Sequence, residues 1–517
     1  MHGSLPRHRA HPIFDNAYGP WRSRPFLLYR RQIQRAIPVA AALGALALII
    51  LILRLVFAGD EPPPLPIWPL PAADDGPARP EHYTWSTPSS FDPVSQDTEG
   101  RSVADLCASF PRAALETIQP VLKLGHYDIG TKALDAQLNT VSACLDNLLI
   151  FSDLDDPVPG GRRAIDVLAG LPASYLANAD FGNYTYMKEL RRTGALDVDK
   201  DATASINGWI LDKYKFLPMI ERAWALAPGK AWYVFFETDT YIFWDNMLRF
   251  LENFDPDTPQ YMGSPSPGRV VPETEKRTWF ANGGPGFVLS RAAVQKMIVR
   301  KTGVDGDYLE PPVSHRWADI LSHDCCGDSV LGWVLHHAGV PFKGFWPLFN
   351  PHSLHAVPFS TSYWCQPMLT LHKTRPDDML ELWRWEHHRR QLSKPLLYMD
   401  LYDVRHPGKP SMIADWDNSD FINTLIKKGP DTAASFDECG TACEKNPKCF
   451  QWTFHGGKCR LVDSMSLGAA RAKTEKTEDE PGGAFTSGWL TERIDDWREA
   501  HTCKDVQWVR PSLERIY

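Results

Sequence analysis

The feature that most limits the fold of this chain is an alternation of strands and helices that begins at Ser102. "IQPVLKLG" (118–125) reads as a strand ending in glycine, "TKALDAQLNTVSACL" (131–145) as a helix, and "NLLIFSD" (147–153) as the next strand. "SINGWILDKYKFLPMIERAWALAP" (205–228) is a helix stopped by Pro228-Gly229. "AWYVFFE" (231–237) follows as a continuous apolar strand. This alternation predicts an α/β, Rossmann-like fold: a mainly parallel central sheet with helices on both faces. Ligands of such sheets gather at the carboxyl ends of the strands.

The last of these strands ends on Glu237-Thr238-Asp239 and turns apolar again at Tyr241. Two carboxylates at positions 1 and 3 of a tight turn can point to one side. With phosphate oxygens they can hold a hard divalent cation such as Mn2+ or Mg2+, which neutralises a diphosphate leaving group. An acidic triplet on a protein surface is usually a solvated turn. At the end of a buried strand, an uncompensated pair of carboxylates would be costly without a metal.

"YVFFETDTYI" (233–242) resembles the acidic motif of the Fringe-like β1,3-glycosyltransferases, glycosyltransferase family 31, and in particular the core 1 β1,3-galactosyltransferase branch. Further blocks agree in order. "VLKLG" with "LLIFSD" is similar to the nucleotide-binding opening of that fold, and "WFANGGPGFVLSRAAV" (279–294) to its glycine-rich acceptor-side segment. "GDSVLGWVL" (327–335) is similar to a helix start of the family, and "CQPMLTLHKTRPDDMLELW" (365–383) to its strand-then-histidine segment. The resemblance covers roughly residues 100–400. It implies a GT-A catalytic domain, a UDP-sugar donor, Mn2+ or another divalent cation, and inversion at the anomeric carbon.

Residue by residue, the resemblance assigns the metal to Asp239, His372 and Glu237, and the donor to Glu237, Thr238, Asp239, Lys123 and Gly125. Asp328 matches the catalytic base, and Trp279, Asn282, Gly283 and Gly284 match the acceptor side. The usual triplet is three aspartates, so Glu237 is a departure that puts its role in doubt. His352 and His355 compete with His372, and Asp324 competes with Asp328, which could instead cap a helix. "WEHHRR" (385–390) reads as a solvated helix face.

Ala36–Leu53 is eighteen residues without a charge, and Leu55–Ala58 continue the run past Arg54. About 20 residues at ~1.5 Å each span a ~30 Å hydrocarbon layer. Seven arginines precede the run against one aspartate, Asp15. The positive-inside rule therefore leaves the N-terminus in the cytosol and puts the rest of the chain in a lumen. The run is longer, and starts later, than the core of a cleaved signal peptide. We expect a type II membrane protein of the Golgi or ER: a cytosolic tail (1–35), a single transmembrane helix (36–58), a Pro-rich stem (59–100), a GT-A domain (101–405), and a C-terminal module with its tail (406–517). Ten prolines between Asp60 and Gly100 make the stem an extended spacer.

Five of the ten cysteines precede residue 400 and five follow it. Odd counts on both sides predict either one bridge between the halves or a free thiol in each. "ECGTACEKNPKCFQWTFHGGKCRL" (438–461) resembles a PAN/apple domain, a small disulfide-rich α+β module that binds proteins or carbohydrate. Bridges are expected among Cys439, Cys443, Cys449 and Cys459. Zinc is the alternative, although no CxxC knuckle is present. Asn183 opens an N-glycosylation sequon, "NYT". The net charge of −8 gives no reason to expect nucleic acid as a partner. The expected partners are a UDP-sugar, a glycan or glycoprotein acceptor, the membrane, and a ligand of the module. The expected activity is transfer of a hexose to a glycan hydroxyl. A catalytically inactive transferase fold that binds glycan or protein is the alternative, and the altered triplet supports it.

Overall fold

Eight strands form the central sheet. In chain order they are β1 (Ile118–Lys123), β2 (Leu149–Ser152), β3 (Asp156–Val158), β4 (Arg162–Asp166), β5 (Trp232–Glu237), β6 (Tyr261–Gly263), β7 (Phe287–Ser290) and β8 (Phe342–Gly344). Their order across the sheet is β8-β6-β7-β5-β1-β2-β4-β3. Four of the seven pairings are parallel, and β7 and β3 supply the antiparallel ones. The computed structural model describes residues 82–93, 100–198, 203–204, 206–405, 411–419, 435–475 and 482–514. The expected cytosolic tail, membrane anchor and most of the stem lie outside the described residues. Among the described residues no helix is long and apolar enough to cross a membrane.

The apolar run of β5 is buried at every position but the last, and alternate residues serve opposite faces of the sheet. Tyr233 and Phe235 enter one core with Phe216, Leu217 and Ile220 of helix α1 (Asp212–Leu226). Val234 and Phe236 enter the other with Trp244, Met247 and Phe250. Burying an aromatic or branched side chain of this size is worth about 1.5–3 kcal/mol. The two cores therefore hold the carboxyl end of β5 rigidly. Helix α2 (Gly327–His337) packs against α1, and helix α3 (Pro376–Arg389) starts with proline in its first turn.

Three expectations need correction. The stem does not stay extended to residue 100. His82–Tyr83 pair with Trp508–Val509, Trp85 packs on Phe254 and Trp508, and Phe91 is buried against Phe110. The apolar residues hidden among the stem's prolines find a surface to cover. The "WEHHRR" segment is solvated only in part: His388 and Arg389 are exposed, but Glu386 and His387 of α3 are buried. Tyr241 donates its hydroxyl to Glu386 at 2.8 Å. Burial pushes the Glu386 carboxyl up to about 7 and the His387 imidazole down to about 4. Asp328 is not the N-cap of α2; Cys326 takes that position, and Asp328 lies in the first turn.

The C-terminal module sets helix Phe436–Lys445 on a four-stranded antiparallel sheet. Its disulfides are Cys439–Cys459 and Cys443–Cys449, so these four sulfurs are spent on bridges and none is left for zinc. Cys107–Cys144 and Cys325–Cys326 lie in the first half, and Cys365–Cys503 joins the halves. The odd counts are explained by that single crossing bridge. The module touches the sheet domain where Phe359 pairs with Met465 and His355 meets the Gly468 carbonyl at 2.7 Å.

Candidate functional site

Three chain segments converge at the carboxyl end of β5. The turn after the strand is fixed by Thr240, which donates to the Gly284 carbonyl at 2.7 Å and accepts from the Glu237 N–H at 3.0 Å. Beyond it, Tyr241–Ile242 pair antiparallel with Thr370–Leu371, Leu371 standing opposite Tyr241. That register sets His372 beside Asp239. The ring Nε2 lies 3.5 Å from Asp239 Oδ1, and the Thr374 N–H donates to the Asp239 carbonyl at 2.9 Å. Glu237, Asp239 and His372 each offer a ligand atom, all within 4.8 Å of one another. Thr238 sits between the acidic residues, half-buried. His355 does not join this group, because its Nε2 is bound to Asp378 at 2.9 Å. His352 gives its carbonyl to the His372 N–H.

A layer of charge lies beneath. β1 and β5 are parallel neighbours with Lys123 opposite Glu237. Lys123 Nζ lies 2.5 Å from Asp212 and 3.1 Å from Glu237, over the ring of Phe216. Burial works against its charge, but the two carboxylates outweigh burial and hold its pKa well above the usual lysine range. Lys215 adds a second buried ammonium, 3.3 Å from Asp153. Gly125 gives its N–H to Asp128 and lies beside the Asp153 carboxylate and the Lys215 ammonium. Lys123 and Lys215 pair with Asp153, Asp212 and Glu237, and Asp239 adds a fourth carboxylate, so carboxylates outnumber ammonium groups in the site. Oxygen and imidazole donors in a negative setting fit a cation such as Mn2+.

The glycine segment separates this group from Asp328. The hairpin 265–270/277–281, which carries half-buried Trp279, delivers Asn282 to Gly286. Asn282 gives its N–H to the Ser264 carbonyl and accepts the Gly284 N–H at 3.2 Å. The Gly283 N–H donates to Asp328 Oδ2 at 2.9 Å, and the Ser329 N–H to Oδ1 at 2.9 Å. The ring of His372 lies against Gly284 so closely that no Cβ fits between them. Gly286 has a φ of 79° and approaches the Phe235 carbonyl, a conformation only glycine adopts cheaply. Burial raises the Asp328 pKa, and the two backbone N–H groups only partly offset this. A carboxylate so placed is a stronger base than a solvated one. The competitor, Asp324, is tied to Arg269 at 2.5 Å. Asp324 with Cys325 and Cys326 is a second group of ligand type, but its sulfurs are bonded to each other.

Residues 213–342 match the Fringe-like family model. The chain carries a Fringe-like domain. The match includes the acidic turn, the glycine segment and Asp328, and it stops short of His372. The chain is 29% identical over 122 residues to the Fringe glycosyltransferase of Drosophila melanogaster, covering 22% of this chain and 27% of that protein. It is 33% identical over 121 residues to the β-1,3-N-acetylglucosaminyltransferase lunatic fringe of Mus musculus, covering 22% and 32%. The zebrafish lunatic fringe (Danio rerio) is 29% identical over 113 residues, covering 20% and 30%. The chain thus spans about a third of the length of the curated relatives it matches.

Reading from sequence missed Asp153, Asp212, Lys215 and Phe216. The signal was present in "LDKYKF", which sets Asp212, Lys215 and Phe216 on one helix face at i, i+3 and i+4. The sequon residue Asn183 stands in the first turn of helix Gly182–Thr193.

Proposed function

We propose that this chain is a metal-assisted, inverting glycosyltransferase that moves a hexose from a UDP-sugar to a glycan hydroxyl. The observation that carries the reading is the meeting of the Glu237–Asp239–His372 group with Asp328 across two glycines. Asp239, His372 and Glu237 would hold the cation, which when bound neutralises the charge of the departing diphosphate. Lys123 holds Glu237 in place from below. Asp328, aimed by the Gly283 N–H, takes the proton of the acceptor hydroxyl as that oxygen attacks the anomeric carbon in line and UDP leaves. The bare Gly283–Gly284 backbone and Trp279 offer the acceptor a close approach. The fringe relatives named above support a transferase acting on glycans. The choice between an N-acetylglucosamine and a galactose donor is left to a donor screen.

The same reading makes the chain a type II membrane protein of the Golgi or ER, glycosylated at Asn183, with a PAN-like module that takes a protein or carbohydrate ligand. The experiment is UDP release from a panel of UDP-sugars with Mn2+, using the chain from residue 80. Asp328→Asn is expected to bind Mn2+ and UDP normally and to lose about 10²-fold or more in transfer. No UDP release by the wild-type protein from any UDP-sugar, or near wild-type transfer by Asp328→Asn, sinks the catalytic assignment. The first result leaves the non-catalytic binding protein as the reading.

A further inference from the structure

Cys325 and Cys326 are bonded to each other at the start of the helix that carries Asp328. A disulfide between adjacent residues closes an eight-membered ring through the peptide that joins them. That peptide keeps few of its conformations. The ring is fastened on both sides. Before it, Asp324 accepts from the Cys326 N–H at 3.1 Å and pairs with Arg269, while its carbonyl accepts from Lys213 Nζ at 3.0 Å. After it, Gly327 lies against the Lys213 carbonyl and Phe216 with no space for a Cβ. Phe216 in turn touches Gly283, whose N–H is given to Asp328. The ring, the first turn of α2, Phe216 and Gly283 therefore form one closed circuit around the Asp328 carboxylate.

We propose that the Cys325–Cys326 disulfide is a positioning device for Asp328, and that its opening by a dithiol reductant makes transfer redox-sensitive. Cys325 is exposed. The sulfurs of Cys107, Cys144, Cys439, Cys443, Cys449 and Cys459 belong to buried residues, and Cys365 and Cys503 are half-buried. An exposed disulfide is the one reduced first. A thiolate of the reductant attacks Cys325 Sγ, the S–S bond breaks, and Cys326 leaves as a thiolate that takes a proton. The second thiol of the reductant then displaces Cys325. The products are two protein thiols and one disulfide of the reductant. Freed of the ring, the 325–326 peptide relaxes, the first turn of α2 loosens, and the carboxylate loses its fixed place against Gly283. A displacement on the order of 1 Å at a reacting group costs about 10²-fold.

The positioning part stands on geometry, whereas its effect on transfer rests on the function proposed above. The test separates the two. The full chain is treated with dithiothreitol at the lowest concentration at which thiol mapping finds Cys325 and Cys326 alone opened. The double variant Cys325→Ser/Cys326→Ser is prepared alongside and cannot reclose. Hydrogen exchange is read at Gly283 and at residues 327–331, Mn2+ and UDP binding by calorimetry, and transfer by UDP release. In both opened forms, exchange at these sites is expected to rise about 10-fold or more, with Mn2+ and UDP affinity within about 2-fold of wild type. The kcat is expected to fall about 10-fold or more at a nearly constant donor KM. Unchanged exchange at Gly283 in either form overturns the positioning role. Raised exchange with an unchanged kcat overturns the redox control. Raised exchange in a protein whose wild type releases no UDP supports the positioning role while the transferase reading fails.

Discussion

An added methyl group at Gly284 would fall 2.5 Å from Nδ1 of His372, and nearer still to Cε1 and Nε2. Ordinary van der Waals contact begins at about 3.5 Å, so in Gly284→Ala the ring retreats by about 1 Å or more. The Gly284 backbone lies outside the left-handed region, so alanine adopts it and the strain falls on the ring. His372 then no longer faces Asp239 Oδ1 at its present 3.5 Å. Losing the support of a metal-ligating histidine typically costs 10–100-fold in metal affinity, so we expect Mn2+ binding to weaken by about that factor, roughly 1.4–2.7 kcal/mol. The assay is a titration of Mn2+ followed by the resonance of the free ion, run as a cycle with His372→Ala. Because the methyl group acts through the ring, Gly284→Ala is expected to cost nothing further once His372 is gone. Wild-type affinity in Gly284→Ala, or equal losses in both backgrounds, would refute the reasoning.

Truncation to residue 95 removes the strand and aromatics that cover Trp508, so that fragment is expected to melt lower and aggregate more than one starting at residue 80. Equal melting temperatures would show the 82–93 segment to be dispensable. Glu386 is raised to about 7 by burial, against about 4.3 in an unfolded chain. The folded state binds the extra proton between those values, so the stability tied to this proton is full below about pH 4 and falls as pH rises to 7, by about 4 kcal/mol in all. Glu386→Gln keeps an acceptor for Tyr241 and is expected to flatten that dependence, read from urea melts at pH 5 and pH 7.5. A wild-type-like slope in the variant would place the titration elsewhere.

The parts of the site legible in sequence are those that local pattern fixes. The five-residue apolar run of β5, Trp232–Phe236, ends at Glu237 because a buried strand must stop where carboxylates begin, and nothing distant alters that. His372 was reached only through a resemblance. Its place beside Asp239 depends on Thr370–Leu371 pairing with Tyr241–Ile242, and no local pattern announces such a pairing across the chain. The charges of "WEHHRR" misled for the same reason. Glu386 is tolerated inside because Tyr241 and Arg390 face it; Arg390 is its i+4 neighbour and legible, whereas Tyr241 lies far off in the chain. The i, i+3 spacing of Asp212 and Lys215 is legible, but their partners Lys123 and Asp153, at the carboxyl ends of β1 and β2, are not. The tail of the stem was misread because its strand partner is Trp508–Val509.

That last pairing also governs how the molecule is made. His82–Tyr83 leave the ribosome roughly 425 residues before Trp508–Val509. At about 5–20 residues per second this is a wait of roughly 20–85 s. During it, Trp85 has no Trp508 to pack on, and Cys365 is a thiol whose partner, Cys503, has yet to be synthesised. Neither the strand pair nor the Cys365–Cys503 bridge can form before residues 503–509 have emerged, so the edge built from 82–93 is covered by a part of the chain made far later.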